Sequence, residues 1–342
     1  MTQPLTLIGN EGSPYSRKLR AVLRYRRIAH VWVVGNGPEY VAPPPVPVQV
    51  IPVLVWHDAT GAMREAAVDS TPLIARLERE YAQRSLLPPD PVVAFLSALV
   101  EDYGDEWCTK FMFHYRWADA AGIDWARRQL MRQIDPAVPA AQLERFAQWF
   151  GDRQIGRREV VGSSDATAAI LEAGYRRLLG MLESLLEQRR FLFGERPAAG
   201  DFGLYGQLTQ LCAFDPGSAR LAEREAPRVV AWTARCEDLS GWRVDDAQWL
   251  DRDIVLATLG PLLAEIGGSY VPFLLANAQA RAEGGEWVEC AVQGGRWRQK
   301  VFAYQVKCLN ALRAQAAALD DVDRAWLAQA LRGSGCEVLL AP

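Results

Sequence analysis

The stretch Gly12–Lys18, "GSPYSRK", carries three hydroxyls, on Ser13, Tyr15 and Ser16, and follows the apolar run "LTLIG". Ser13 and Ser16 have the spacing of a C-x-x-C redox pair with oxygen in place of sulfur. Thiol–disulfide exchange needs a thiolate, which a serine hydroxyl cannot replace, so that chemistry is disfavoured. A hydroxyl at a helix start can instead cap the helix, or donate to an anion that the helix dipole favours there.

A second concentration of chemistry lies in "EDYGDEWCTKFMFHYRW". Glu101, Asp102, Asp105 and Glu106 with His114 invite a metal reading, but all belong to one helix, and His30 and His57 lie elsewhere. They are therefore read as a solvated face or a dimer contact, and no metal site is expected. Tyr103, Trp107, Lys110 or Phe111, and His114 recur at helical spacing along the same segment as one aromatic and polar stripe. Arg17, Arg20, Arg24 and Arg27 line one face of the first helix. A solvated basic face, or ion pairing with the acidic helix, is the main reading, and an anionic substrate or membrane surface the alternative.

The elements that must position these residues follow from periodicity. Residues 4–9 read as a strand, 14–28 as an amphipathic helix with Pro14 near its start, and 30–35 as a second strand. A proline-rich run, "PEYVAPPPVPVQV", cannot be a regular helix. "IPVLVWHD" and "AMREA" read as a hairpin, and Asp69, Ser70 and Thr71 before Pro72 open a helix to about residue 82. The prolines of "QRSLLPPDP" mark a linker. From 92 to about 240 the period is helical throughout, with one long helix over "PVVAFLSALVEDYGDEWCTKFMFHYRW", another over "AAQLERFAQWFG", and a third starting on a Ser164–Asp165 cap. A further helix begins near Asp201, and "PRVVAWTARCEDL" closes the set. The last hundred residues add a helix over "YVPFLLANAQARAEGG", a hairpin turning on Gly294–Gly295, a helix around 301–317 and a short capped helix from about 321.

Composition narrows the class. With 342 residues, half of them apolar, the chain is long enough for two or three domains. The 38 basic and 41 acidic side chains give a net charge of −3 without a long basic block, so no nucleic-acid partner is expected. Uninterrupted apolar runs fall short of a membrane span, and the first ten residues lack the basic and apolar parts of a secretory signal, so the expected location is cytoplasmic. Cys108, Cys212, Cys236, Cys290, Cys308 and Cys336 form no C-x-x-C pair and read as reduced, mostly buried thiols.

Four markers in this order resemble the cytosolic glutathione transferases, over roughly residues 1–245. "SPYSRKLR" falls at the strand-to-helix turn where that superfamily keeps a catalytic Ser, Cys or Tyr. Pro52 in "VIPVLV" is similar to the cis-proline that opens the third strand of thioredoxin-like folds. Asp69–Ser70 resembles the acidic-residue–Ser pair that holds the γ-glutamyl group, and "GERPAAGDFGLYG" resembles the buried helix start of the second domain, with Asp201 in the family's Asp position. The resemblance implies a thioredoxin-like α/β domain over residues 1–83, an all-helical domain over 92–245, and an added, mainly helical lobe over 250–342.

It further implies glutathione as co-substrate, a small electrophile as its partner in transfer, lyase or isomerase chemistry, and a homodimer. Ser13 is the first choice as thiolate donor, with Tyr15 and Ser16 less favoured. A cap role for Ser13 alone stands beside it. Ile51, Pro52, Asp69 and Ser70 would hold the tripeptide. Tyr103, Trp107, Phe111 and His114 would line the electrophile's pocket. Two departures stand out. The segment before the third strand lacks the usual Lys, Arg or Gln for the glycine carboxylate, with Gln49 a substitute, and the usual Ser or Thr cap before Asp201 is Ala198. A non-catalytic binding or protein-interaction module on the same fold is the alternative. The lobe after residue 250 has its own core material in Tyr270, Phe273, Trp287, Trp297 and Tyr304, and is expected to pack on the second domain.

Overall fold

A computed structural model describes residues 3–340. The first quarter of the chain forms a four-stranded sheet from β1 (Leu5–Gly9), β2 (His30–Val34), β3 (Val53–His57) and β4 (Met63–Val68), in the order β2-β1-β3-β4. β1 pairs parallel with β2 and antiparallel with β3, and β3 pairs antiparallel with β4. The parallel β1–β2 pair needs a crossover, which α1 (Pro14–Tyr25) supplies. α2 (Ser70–Glu80) closes the unit. Side-chain alternation divides the strands between two faces. Leu5, Leu7, Leu54 and Trp56 join Leu19, Val22, Leu73 and Leu77 of the helices in the main core. Ile8, Val53 and Val55 pack on the opposite face under Tyr40 and Val46 of the proline-rich segment, which thus covers the back of the sheet without forming a helix.

The second unit begins with α3 (Pro91–Tyr103), capped by Asp90, whose carboxylate accepts from Val92 and Val93 N–H. The long helix expected over 91–117 is interrupted by a π-helical turn at Gly104–Cys108 and resumes as α4 (Thr109–Trp117). Gly104 sits where a Cβ would come within 2.6 Å of the Gly203 carbonyl carbon, so this is where α3 crosses α9 (Ala199–Thr209) at closest approach. α5 (Ala120–Ile134), α6 (Ala140–Ile155), α7 (Arg158–Val161), α8 (Ala168–Gln188), α10 (Pro216–Glu225) and α11 (Pro227–Cys236) complete the bundle. α5, α7 and α10 fall within the stretch of helical period over 92–240, though the sequence did not single them out as separate helices. Nor does α8 start on Ser164–Asp165: Thr167 Oγ1 accepts from Ser164 N–H and donates to the Gly162 carbonyl, which holds 162–167 in a turn ahead of the helix.

The C-terminal lobe consists of α12 (Arg252–Ala282), the hairpin β5 (Trp287–Val292) and β6 (Gly295–Lys300), α13 (Ala303–Ala317) and α14 (Asp321–Ala330). The hairpin turns on Gln293–Gly294, both with positive φ (49° and 77°), rather than on Gly294–Gly295. That is the geometry whose twist suits a two-residue loop. α12, α13 and α14 all pack on α3, and Trp297 of β6 meets Trp107 at 4.9 Å between ring centroids. The lobe therefore shares one continuous core with the other two units. Against the expectation from uninterrupted apolar runs, α12 is long and apolar enough to cross a membrane. However, 56% of its most apolar window is buried within the chain, as for the central helix of a packed core.

Candidate functional site

The site is set by sheet register. Ile8 of β1 lies opposite Val53 of β3, and Val53 opposite Val68 of β4. The loop after β1, the approach to β3 and the exit of β4 therefore leave from one edge of the sheet. Ser13, Ile51–Pro52 and Asp69–Ser70 are thereby brought to the same rim, and the Ile51–Pro52 peptide bond is cis.

Ser13 is the N-cap of α1, its Oγ accepting from Ser16 N–H at 3.3 Å. This use of an oxygen lone pair leaves the hydroxyl hydrogen free to donate, so capping and donation to an anion are compatible roles. The loop is clamped from the second unit. Arg116 of α4, ion-paired with Asp215 at 2.8 Å in the interior, donates to the Gly12 carbonyl at 2.9 Å. A Cβ on Gly12 would overlap Leu130 of α5. Of the other two hydroxyls, that of Tyr15 is committed elsewhere and that of Ser16 is buried without a hydrogen-bond partner. Tyr15 donates to the Asp105 carbonyl at 2.9 Å, and burial, with the Glu106 and Asp105 carboxylates, pushes its phenol well above its ordinary range. Ser16 is buried, and its Oγ lies 2.7 Å from where a Gly9 Cβ would stand, beneath the sheet end rather than at the rim.

At the start of α2, Asp69 is held at φ 78° and makes no side-chain cap bond to its own helix. Helix geometry leaves the first-turn N–H groups of Ser70 and Thr71 without intrahelical partners, and Pro72 has none to offer. The Asp69 carboxylate points to the C-terminal lobe, where Oδ2 accepts from the Tyr304 hydroxyl at 2.6 Å. Gln49 is exposed on the segment leading to the cis-proline, and Ile51 is exposed beside it.

Behind this rim stands a buried ion cluster. Lys18 of α1, fully buried, donates to Glu101 Oε1 at 2.6 Å and Asp105 Oδ2 at 2.5 Å, and to Thr71 Oγ1 at 3.2 Å. Although burial opposes it, the Asp105 and Glu101 carboxylates hold this ammonium firmly charged. The acidic run is thus neither a solvated face nor a dimer contact. Glu101 and Asp105 answer Lys18, Asp102 accepts from Tyr270 of α12 at 2.7 Å, and Glu106 accepts from Gln305 of α13 at 3.0 Å. Burial raises Asp102 to about 7, and burial together with Asp102 and Asp105 raises Glu106 to about 8. Among the described residues no group of three or more metal-ligating side chains is placed to hold an ion.

The basic face of α1 is also paired, though not with the acidic helix. Arg17, Arg20 and Arg24 converge on Glu237 after α11, where Tyr205 donates to the same carboxylate at 2.5 Å. Against its burial, the Tyr205 hydroxyl, Arg17 and Arg20 hold Glu237 at about 2. Arg27 donates to the Ser240 carbonyl.

The expected electrophile pocket is corrected in the same way. Tyr103, Trp107 and Phe111 are at most 1% exposed, and His114 is buried with Nε2 3.2 Å from Glu172. Trp107 packs on Tyr270, Phe273 and Trp297 of the lobe, and Phe111 on Tyr175 of α8, so the stripe is core rather than cleft wall. Lys110 lies within it, bonded to the Val161 carbonyl and Gln299 at 3.0 Å each, and burial lowers its ammonium to about 7. Asp201 behaves as expected of a helix start without a hydroxyl cap, accepting from Ala198 N–H at 2.9 Å and Leu192 N–H at 2.8 Å. The hydroxyl that Ala198 lacks comes from α3, where Ser97 Oγ accepts from Gly200 N–H at 3.0 Å.

Lys18, Thr71, Arg116 and Tyr304 were missed by sequence reasoning. Lys18 left one signal: it falls on the stripe of Val22 and Tyr25 at helical spacing, where a lone lysine implies a buried partner. Tyr304, expected as core material of the lobe, is instead part-exposed, and no local signal pointed to its partner 235 residues away.

A βαβ-ββα sheet with a cis-proline and two loaded helix starts on one rim, joined to a helical bundle, defines the thioredoxin-like two-domain architecture of the glutathione transferases. The family model for the glutathione S-transferase N-terminal domain matches residues 7–85, and that for the C-terminal domain residues 140–235, together about half of the chain. The chain belongs to the glutathione S-transferase superfamily. No curated protein matches it in sequence. Solved structures similar to it include a GST-like protein from Pseudomonas syringae (17% identity, 69% of this chain and 67% of that one, TM-score 0.40). Two others are a glutathione transferase family member from Pseudomonas fluorescens with two glutathione bound (14%, 68% and 87%, 0.41) and a glutathione S-transferase from Ceriporiopsis subvermispora in complex with glutathione (17%, 69% and 99%, 0.45).

Proposed function

We propose that this chain is a glutathione-dependent enzyme in which Ser13 donates its hydroxyl hydrogen to the glutathione thiolate for attack on a small electrophile. The observation that carries the reading is the convergence of Ser13, the Ile51–Pro52 cis bond and Asp69–Ser70 on one rim of the sheet in a member of this superfamily. The first-turn N–H groups of α2 and the Ser70 hydroxyl suit the γ-glutamyl carboxylate, and Asp69 suits its ammonium. Gln49 stands where the glycine carboxylate would be met, and a homodimer is the proposed working form.

The energetics are of the right order. A free thiol of pKa near 8.5 is only about 3% thiolate at pH 7, and lowering it by two units needs about 2.7 kcal/mol. One hydroxyl hydrogen bond to an anion supplies roughly 1.5–3 kcal/mol and a helix N-terminus about 0.3–1 kcal/mol.

Calorimetric titration with glutathione tests binding, and thiolate absorbance against pH tests activation. Ser13→Ala should leave binding largely intact and raise the bound thiol's pKa by about one to two units. Asp69→Ala should weaken binding itself. No binding at millimolar glutathione by the wild-type chain would sink the enzyme reading and favour a protein-interaction module.

A further inference from the structure

The contact between Asp69 and Tyr304 joins the glutathione rim to residues 250–340, beyond those that match either family model. Asp69 is a helix N-cap that does not cap. Its positive φ turns the carboxylate away from α2, whose third position, Pro72, lacks an N–H to bond it. The carboxylate reaches the first turn of α13 instead.

That turn is fixed from two sides. Phe302 exchanges hydrogen bonds with the Asn277 side chain of α12, N–H to Oδ1 at 2.9 Å and Nδ2 to the carbonyl at 3.0 Å. Gln305, 1% exposed, donates from Nε2 to the Glu106 carbonyl at 3.1 Å and to Glu106 Oε2 at 3.0 Å. Tyr304 lies between these anchors with 36% of its surface exposed, so a fixed backbone presents its phenol at the rim.

We propose that Tyr304 is a positioning residue of the γ-glutamyl site: by donating to Asp69 Oδ2 it orients the carboxylate so that Oδ1 receives the ligand's ammonium group. The C-terminal lobe is thus a wall of the glutathione site. The inference rests on the glutathione reading above. A carboxylate already held in its bound orientation loses less freedom on binding, which is where the affinity comes from. Reciprocity requires that the ligand in turn stabilise the first turn of α13 against opening.

The test is calorimetric titration of glutathione into the wild-type chain, Tyr304→Phe, Asp69→Asn and the double variant. Tyr304→Phe removes only the hydroxyl of a part-exposed ring, so its unfolding midpoint should match the wild type. Its Kd for glutathione should rise about tenfold, the scale of one hydrogen bond to a charged group. In the Asp69→Asn background the same change should shift Kd less than twofold. Amide exchange in the first turn of α13 should slow when glutathione binds to the wild type. Wild-type binding with an unchanged or lower Kd in Tyr304→Phe would overturn the role of Tyr304 alone, as would an equal loss in the Asp69→Asn background. Failure of the wild type to bind would instead remove the glutathione reading, and this inference with it.

Discussion

Lys18 is the residue on which the junction between the first two units turns. Its ammonium meets two buried carboxylates, from α3 and the π-helical turn, and the hydroxyl of Thr71 at the exposed start of α2. Buried ion pairs add little stability compared with apolar packing, but removing one partner strands the other in a low-dielectric interior. Lys18→Met should therefore destabilise the fold by about 3–5 kcal/mol in urea unfolding, whereas Lys18→Met combined with Glu101→Gln and Asp105→Asn should recover part of that loss. If Lys18→Met unfolds with the wild-type midpoint, the cluster is not closed to water. At this scale the sequence marked Ser13, Pro52 and Asp69 because each is a local turn or helix-start signal. It left Lys18 unmarked and read Tyr304 as core material, because the role of each depends on a partner far along the chain.

Among the elements, the α3–α9 crossing shows how a missing cap is replaced. Ala198 offers no side-chain acceptor, Asp201 reaches back to Ala198 N–H, and Ser97 of the neighbouring helix accepts from Gly200 N–H. Burial raises the Asp201 carboxyl to about 7. Ser97→Ala should leave the Gly200 N–H without a partner in the interior and cost roughly 1–3 kcal/mol, measured as a shift in urea midpoint at constant slope. An unchanged midpoint would mean that Asp201 alone suffices. Helical periodicity located α3, α6, α8, α11 and α13, since each buries one face, whereas α9 is buried all round and was marked by its Asp201 helix start. It missed the break at Gly104, because the close approach of Gly203 that goes with it belongs to another helix.

For the whole molecule, the buried acids make folding sensitive to pH. Asp102 near 7, Glu106 near 8 and Asp201 near 7 all lie above their unfolded values of 3.8, 4.5 and 3.8. From about pH 5 upward the folded chain thus keeps protons that the unfolded chain has released, so unfolding free energy should fall as pH rises toward 7 to 8. Lys110, lowered to about 7, acts with the opposite sign above that pH, where the unfolded chain keeps the proton longer. Urea unfolding at pH 5.5, 6.5 and 7.5 should show the decline, and Glu106→Gln should flatten it. A stability that rises over this range would contradict the burial of these groups.

The first two units were legible because a thioredoxin-like sheet is written in short-range signals: alternating strands, a proline-rich connection, and hydroxyl and carboxylate residues at helix starts. The fate of the polar stripes was not. Periodicity identifies a helical face but not what packs on it, so the acidic run read as solvated and the aromatic stripe as a pocket until α12, β6 and α13 were found covering both. The sequence alone determined which residues stand at the rim of the sheet. Only the tertiary structure decided which of them keep a free hydroxyl or carboxylate there, because burial and hydrogen-bond partners are set by contacts between segments hundreds of residues apart.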